Sequence, residues 1–372
     1  MNVSNETRTH LQILETGVTL RGPAEVVEPI AFAYRRFHVD DAGPEAIRLD
    51  LEAVNAVSAR VCGRPIELVP DLDVGLQFYQ FLLDELMDRL GSQALLHAAA
   101  LRTRSGGALL LAAPSGHGKT SLTLELAHRG LGFLGDDYAP LDLDRRLVLP
   151  FPRAVGIHPD GDAPIPLPFR SLASEPGVTR LFGKSLLDVG QVLGESSVVT
   201  EPLPLQGVVL LTAHKSAGTG LPTRIVVAAR RGDGDELQAF FAGTGGIEIL
   251  DRAERPHLSL WSLKLEHEAS PTEALSRVLD SEKVLFSEKI WDERPDFQGR
   301  PSVVPVRRRE AAEFLGREML NRRNGGRLLA RHGGSVTALF LHLAAALREA
   351  SCWRVSVGGA GATADLIESL AD

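Results

Sequence analysis

Apolar positions in the first seventy or so residues come in short runs broken by turn clusters. Leu11 to Leu14, Ala31 to Val39, Ile47 to Val54 and Ile66 to Val69 are separated by stretches such as Arg21-Gly-Pro and Asp41-Ala-Gly-Pro. That pattern predicts short strands and a small β-rich N-terminal domain over 1–73. The period then changes. Between Val74 and Leu90, Phe78, Phe81, Leu82, Leu86 and Leu90 recur at helical spacing with Asp84, Glu85, Asp88 and Arg89 interleaved, so an amphipathic helix closed by Gly91 should lead into a second domain, 74–372. Two apolar runs from Ala94 to Ala113 flank Thr-Arg-Ser-Gly-Gly and predict an antiparallel hairpin, with His97 in its first strand. Thr120 to Arg129 reads as a helix stopped by Gly130, and Leu131 to Leu134 as a short strand ending in Asp136-Asp137.

Further along, prolines at 150, 152, 159, 164, 166 and 168 argue against regular structure across 150–168, and an irregular segment of that length is commonly a lid or substrate loop. Val208 to Ala213 and Arg224 to Ala229 read as strands. Helices are predicted around Pro271 to Glu282, Arg308 to Leu320 and Ser335 to Ala350, the last apolar enough to be buried; a strand from Trp353 and a short helix from Ala362 follow.

Composition narrows the function classes. A chain of 372 residues exceeds the roughly 100–200 of a usual domain, and its 44% hydrophobic content suffices for a core. The formal charge of -8 argues against a general nucleic-acid binder. The polar N-terminus lacks a signal-peptide pattern, and no apolar run approaches the ~20 residues of a membrane helix, so no membrane partner is expected. Cys62 and Cys352, far apart in sequence, suit small core residues of a reduced cytoplasmic protein. Arginines crowd the stretch from Arg300 to Arg331. They could form an acidic-peptide or phosphate-binding surface, but a solvated helix face paired with Glu310, Glu313 and Glu318 is favoured.

The chemistry concentrates between Ala108 and Asp137. An apolar strand runs into Ala113-Pro-Ser115-Gly116-His117-Gly118-Lys119-Thr120-Ser121 and then a helix. Such a loop surrounds a phosphate chain with backbone N–H groups at a helix N-terminus; Lys119 would neutralise charge, and the Thr120 hydroxyl could ligate Mg²⁺. The strict pattern opens with Gly where this chain has Ala113, an exchange that is harmless if the position is extended. Asp136-Asp137 follow at the next strand end, where ligands bind in α/β sheets. Alternate strand side chains point to opposite faces, so the two acids are expected to divide the work, one toward a metal and one toward an incoming hydroxyl.

The loop Pro114-Ser-Gly-His-Gly-Lys-Thr, the segment Leu126-Ala-His-Arg-Gly-Leu-Gly-Phe-Leu-Gly-Asp-Asp137 and the Leu96-His97 before the loop resemble the catalytic domain of HPr serine kinase/phosphorylase and its relatives. The resemblance covers about residues 94–152. It implies an α/β fold with a phosphoenolpyruvate-carboxykinase-like P-loop nucleotide-binding domain, ATP and Mg²⁺ as cofactors, and γ-phosphate transfer to a serine hydroxyl. By position, Asp136 matches the family's acid/base aspartate, Asp137 its neighbour near the metal, and His97 an active-site histidine. Lys119, with Ser115 to Ser121, would bind the nucleotide; His117 is the loop position where the family varies, and a bystander role is favoured for it. The bifunctional enzymes' downstream Arg-Gly signature and phosphorylase loop are absent. Leu149-Pro-Phe-Pro-Arg153 stands there instead, as in divergent relatives, with Arg153 as a candidate phosphate-facing cation or surface ion-pair partner.

These readings lead to a cytoplasmic kinase acting on a peptide or protein hydroxyl, with a ribosomal precursor peptide as one acceptor. The family's oligomers leave a homo-oligomer open. A catalytically silent ATP-binding sensor or assembly protein and a small-molecule kinase are the alternatives.

Overall fold

The computed structural model describes residues 6–51, 58–69, 72–159, 164–212, 224–265, 275, 278–279, 283–290, 297–322 and 326–371. It is a mixed α/β structure. Strands β1 (Glu6–Ile13) and β2 (Thr16–Pro23) form a hairpin, helix α1 (Ala24–Ala33) follows, and β3 (Ile47–Leu51), β4 (Ser58–Val61) and β5 (Arg64–Glu67) complete a sheet in the order β1-β2-β3-β4-β5. All its pairs are antiparallel except β2 with β3. A parallel pair needs a crossover, and α1 lies between these two strands. The predicted strand from Ala31 to Val39 is therefore corrected to the end of α1 and a 3₁₀ turn at Arg35–Phe37. Val26, Val27, Ile30, Ala31 and Ala33 bury one helical face despite Pro29.

Helix α2 (Val74–Arg89) forms as predicted, its first turn capped by the Asp73 side chain accepting from Leu76 N–H at 2.7 Å. Its buried Phe78, Leu82 and Leu86 join Leu11, Leu20, Ile47 and Leu49 in one cluster, which also takes in Leu95 and Phe151 from later in the chain.

Strands β6 (Gln93–Leu96), β7 (Ala98–Arg102) and β8 (Ala108–Ala112), helix α3 (Lys119–His128) and strand β9 (Gly132–Gly135) follow in quick succession. The hairpin is β7 with β8; β7 also pairs antiparallel with β9, so β8 and β9 run the same way and end at the same edge. Strands β10 (Ala139–Asp142) and β11 (Leu147–Val148) carry the sheet back to β6. The prolines of 150–168 frame regular structure rather than excluding it: β12 (Val155–Ile157) sits between them, and α4 (Leu167–Ala173) begins with Pro168 in its first turn, where the missing N–H removes no helical bond. With β12, β13 (Arg180–Leu181) and β14 (Lys184–Leu187) make a small sheet, followed by α5 (Val189–Leu193).

Strand β15 (Leu203–Thr212) runs parallel to β8. Strands β16 (Arg224–Arg230), β17 (Ile247–Glu254), β18 (Leu258–Leu265) and β19 (Val284–Ile290) form a separate antiparallel sheet, β17-β18-β16-β19, with helix α6 (Gly234–Gly243) between β16 and β17 supplying Phe241 to the cluster around Trp261. Of these strands the sequence pattern predicted β16 alone; the helix expected at 271–282 falls largely outside the described residues. Then come β20 (Ser302–Pro305), α7 (Arg308–Arg317), α8 (Arg327–Arg331), α9 (Val336–Ala346), β21 (Ser351–Ser356) and α10 (Ala360–Ala371). β21 lies parallel to β15 on the side away from β8, which puts three parallel strands at the centre of the main sheet. Helix α9 buries Leu339, Leu343 and Ala346 but leaves Val336 and Leu341 exposed, so one face rather than the whole helix is covered. Both cysteines are free; Cys352 is buried and Cys62 half-buried. Among the described residues no helix is long and apolar enough to cross a membrane.

Candidate functional site

The loop between β8 and α3 fits its sequence. Gly116 and Gly118 adopt left-handed φ values of 80° and 79°, which glycine reaches without strain. Gly118 is also hemmed in, since a Cβ there would lie 2.9 Å from the Phe297 ring. Ala113 is buried and has no positive φ, so this position makes no demand for glycine. Ser115 and Gly116 are exposed at the loop tip; Ser121 and His117 are buried, and His117 Nδ1 lies 3.2 Å from the Ser115 carbonyl.

Helix α3 starts at Lys119 and aims its first turn at the end of β9. Thr120 Oγ1 donates to Asp136 Oδ2 at 2.8 Å, while Lys119 Nζ lies 3.3 Å from Asp137 Oδ1 and 2.8 Å from His97 Nε2. Lys119 and Asp136 are only 6% and 5% exposed. The structure thus brings together His97, Lys119, Thr120, Asp136 and Asp137. It pairs the Thr120 hydroxyl with Asp136 rather than with Asp137, the acid the resemblance grouped with it around a metal.

The two neighbouring carboxylates face different surroundings. Burial, then the charge of Asp137, pushes the Asp136 pKa up to about 7, against the pull of Lys119 and the Thr120 hydroxyl. Its Oδ1 is buried with no hydrogen-bond partner. Burial would raise Asp137 as well, but Lys119 foremost, with His97, Arg153 and Lys184, holds it well below the usual carboxylate range. Asp137 takes a left-handed φ of 65°, so the strand has ended there, and the two acids meet different partners, Asp136 the Thr120 hydroxyl and Asp137 the Lys119 ammonium.

His97 sits not within a strand but at the break between β6, which pairs with β10, and β7, which pairs with β8 and β9. Its Nδ1 lies 3.0 Å from Glu318 Oε2, and its backbone N–H donates to the Glu318 carbonyl at 2.8 Å. Glu318 thus faces the histidine as well as lying in the arginine-rich stretch. Glu313 pairs with Arg309 of that stretch, whereas Glu310 pairs with Arg354, beyond it.

Arg153 is delivered by Phe151, whose N–H donates to the Leu134 carbonyl at 2.7 Å beside the end of β9. The guanidinium is neither an exposed ion pair nor in contact with the loop. It lies 4.5 Å from the Tyr138 ring centroid and 5.7 Å from that of Tyr34, and donates to the Tyr79 hydroxyl. Burial opposes its charge, yet the three phenols and Asp137 outweigh that and raise its pKa. Burial raises all three tyrosines above their ordinary value. The sequence reading missed Glu318, Tyr34, Tyr79 and Phe297 as site neighbours. Tyr138, next to Asp137 in the chain, was the one with a local signal.

No family model matches the chain, and no curated protein does. Among solved structures it is similar to the HPr(Ser) kinase/phosphatase from Coxiella burnetii, at 19% identity over 33% of this chain and 67% of that one, with a TM-score of 0.23.

Proposed function

We propose that this protein is a Mg²⁺- and ATP-dependent kinase that moves the γ-phosphate of ATP to a serine or similar hydroxyl of a peptide or protein. One observation carries the reading. A buried carboxylate with an unpartnered oxygen, Asp136, whose pKa burial and the neighbouring Asp137 push upward, is tied to the first helical turn of a glycine loop whose lysine reaches that Asp137. The resemblance of these two segments to HPr kinases supports the same reaction class, on a phosphoenolpyruvate-carboxykinase-like P-loop fold.

Lys119 and the N–H groups of the Ser115–Thr120 loop would hold the phosphates, with Gly116 and Gly118 giving the loop its turns. Among the described residues no group of three or more His, Cys, Asp or Glu could hold a metal unaided. Magnesium beside phosphates asks for only one or two protein ligands, and the Thr120 hydroxyl, released from Asp136, and the Asp137 carboxylate would supply them. Mg²⁺ there would neutralise charge on the phosphate oxygens. Asp136, poised near neutral, accepts the acceptor hydroxyl's proton as that oxygen bonds to the γ-phosphorus and the bond to the ADP oxygen breaks. Asp137 stays ionised and anchors Lys119. Arg153 adds positive field beside Asp137 without touching the loop.

The reading is tested with γ-labelled ATP, Mg²⁺ and candidate peptides encoded by adjacent reading frames. Label on a seryl residue that disappears with Lys119→Ala supports it; ATP binding with no transfer to any peptide favours a nucleotide sensor, and transfer to a metabolite alone favours a small-molecule kinase.

A further inference from the structure

We infer that Glu318 is a positioning residue of this site, holding the His97 ring in the tautomer that lets it orient Lys119. The inference rests on the kinase reading for its catalytic consequence, but its structural core stands apart from it. Three side chains lie in line: Glu318 Oε2 to His97 Nδ1 at 3.0 Å, then His97 Nε2 to Lys119 Nζ at 2.8 Å. A lysine ammonium has only donors to offer, so Nε2 must accept and the ring proton must sit on Nδ1. That proton points at Glu318, which as a carboxylate only accepts. The same carboxylate–histidine arrangement fixes the ring in metal sites, with an ammonium here in the metal's place.

The mount behind Glu318 is firm. The His97 N–H bonds the Glu318 carbonyl, Leu320 N–H donates to the Leu95 carbonyl at 2.8 Å, and Leu96 bridges to Met319. The Asn321 side chain, 1% exposed, accepts from Leu95 N–H at 2.8 Å and donates to the carbonyls of Gln93 and Leu90. The segment after α7 is thus laced along β6 up to the histidine, and Glu318 cannot drift from it. The lysine's own three protons complete the argument. One goes to His97 and one faces Asp137 at 3.3 Å, which leaves the third for a phosphate oxygen in the loop. Without Glu318 the neutral ring is free to carry its proton on Nε2, where it would confront the ammonium N–H and turn Lys119 away.

The test compares Glu318→Ala with Glu318→Gln, whose amide oxygen still accepts from Nδ1–H. Long-range ¹H–¹⁵N spectra of histidine-labelled protein at alkaline pH read the tautomer, the His97 signal being assigned by its loss in His97→Gln. The expected result is an Nδ1–H ring in the wild type and in Glu318→Gln, and a shift toward Nε2–H in Glu318→Ala. In the labelled-ATP assay Glu318→Ala should lose about 10–100-fold in kcat/KM for ATP, with Glu318→Gln staying within about threefold of wild type. An Nδ1–H ring that persists in Glu318→Ala, or an equal loss in both variants, would overturn the inference and leave the contact as packing. If no phosphate transfer is found for any variant, the kinase reading fails while the spectra still decide the tautomer.

Discussion

The loop wall of the site, from Ala113 to Asp137, is one continuous stretch of chain, whereas the facing wall gathers Tyr34, Tyr79, His97, Arg153 and Glu318 from distant parts of it. The two walls hold charge by different means. In the loop wall, backbone geometry sets the positions: left-handed glycines, a helix start and a strand end bring Lys119, Thr120 and the two aspartates within hydrogen-bond reach. In the facing wall, side chains do it, through phenols around a guanidinium and a carboxylate behind an imidazole. The loop wall should therefore fail through its chemistry, and the facing wall through its mounting.

The largest effect is expected on the loop wall. Lys119→Ala should lower phosphate transfer by on the order of 10²–10³, as loss of a preorganised charge contact does, and weaken ATP binding measured by calorimetry. A loss below tenfold would mean that the facing wall holds the nucleotide. The next test concerns Asp136. Because its folded pKa of about 7 exceeds the unfolded carboxylate value near 4, the folded state binds an extra proton between those pH values, and stability falls as pH rises through that window. Asp136→Asn removes this term. The variant should gain thermal stability over wild type at pH 8 and lose most of that advantage at pH 4, by thermal melts at the two values. An advantage that grows on acidification would contradict the assigned burial.

Asn321→Ala loosens the facing wall. It leaves the Leu95 N–H and two carbonyls without their partner and should destabilise the protein by about 2–4 kcal/mol in urea titrations. The smallest effect belongs to Ala113→Gly. With no positive φ to relieve, restoring the usual glycine should leave ATP affinity within about twofold and cost roughly 0.5–1 kcal/mol in chain entropy. A marked gain in affinity would show that Ala113 strains the loop.

The same contrast explains what the sequence made legible. The loop wall was readable because its parts are neighbours in the chain and each has a local signature: Gly-Lys-Thr, a helix stop at Gly130, acids at a strand end. Helix α2, the β7–β8 hairpin, β15, α7 and β21 were readable for the same reason, through period and punctuation. The role of Glu318 beside His97 gave no signal, because among nearby arginines it reads as one more half of a surface pair, and the histidine it meets lies far away in the chain. Tyr34 and Tyr79 sat in segments read only for apolar period. Helix α1 (Ala24–Ala33) had no reading of its own, and its last residues fell inside the strand expected from Ala31 to Val39; the parallel pairing of β2 with β3 makes a crossover there necessary. Strand β17 carries almost no burial contrast, so its membership in the sheet around Trp261 came from pairing with β18 rather than from pattern.

The central claim is that the loop binds ATP and Asp136 takes the proton, two roles that one variant separates. Asp136→Asn, assayed side by side for Mg-ATP affinity by calorimetry and for label transfer to a peptide serine, should bind within about threefold of wild type while transfer falls by roughly 10²–10⁴. Transfer by this variant at the wild-type rate would contradict the account.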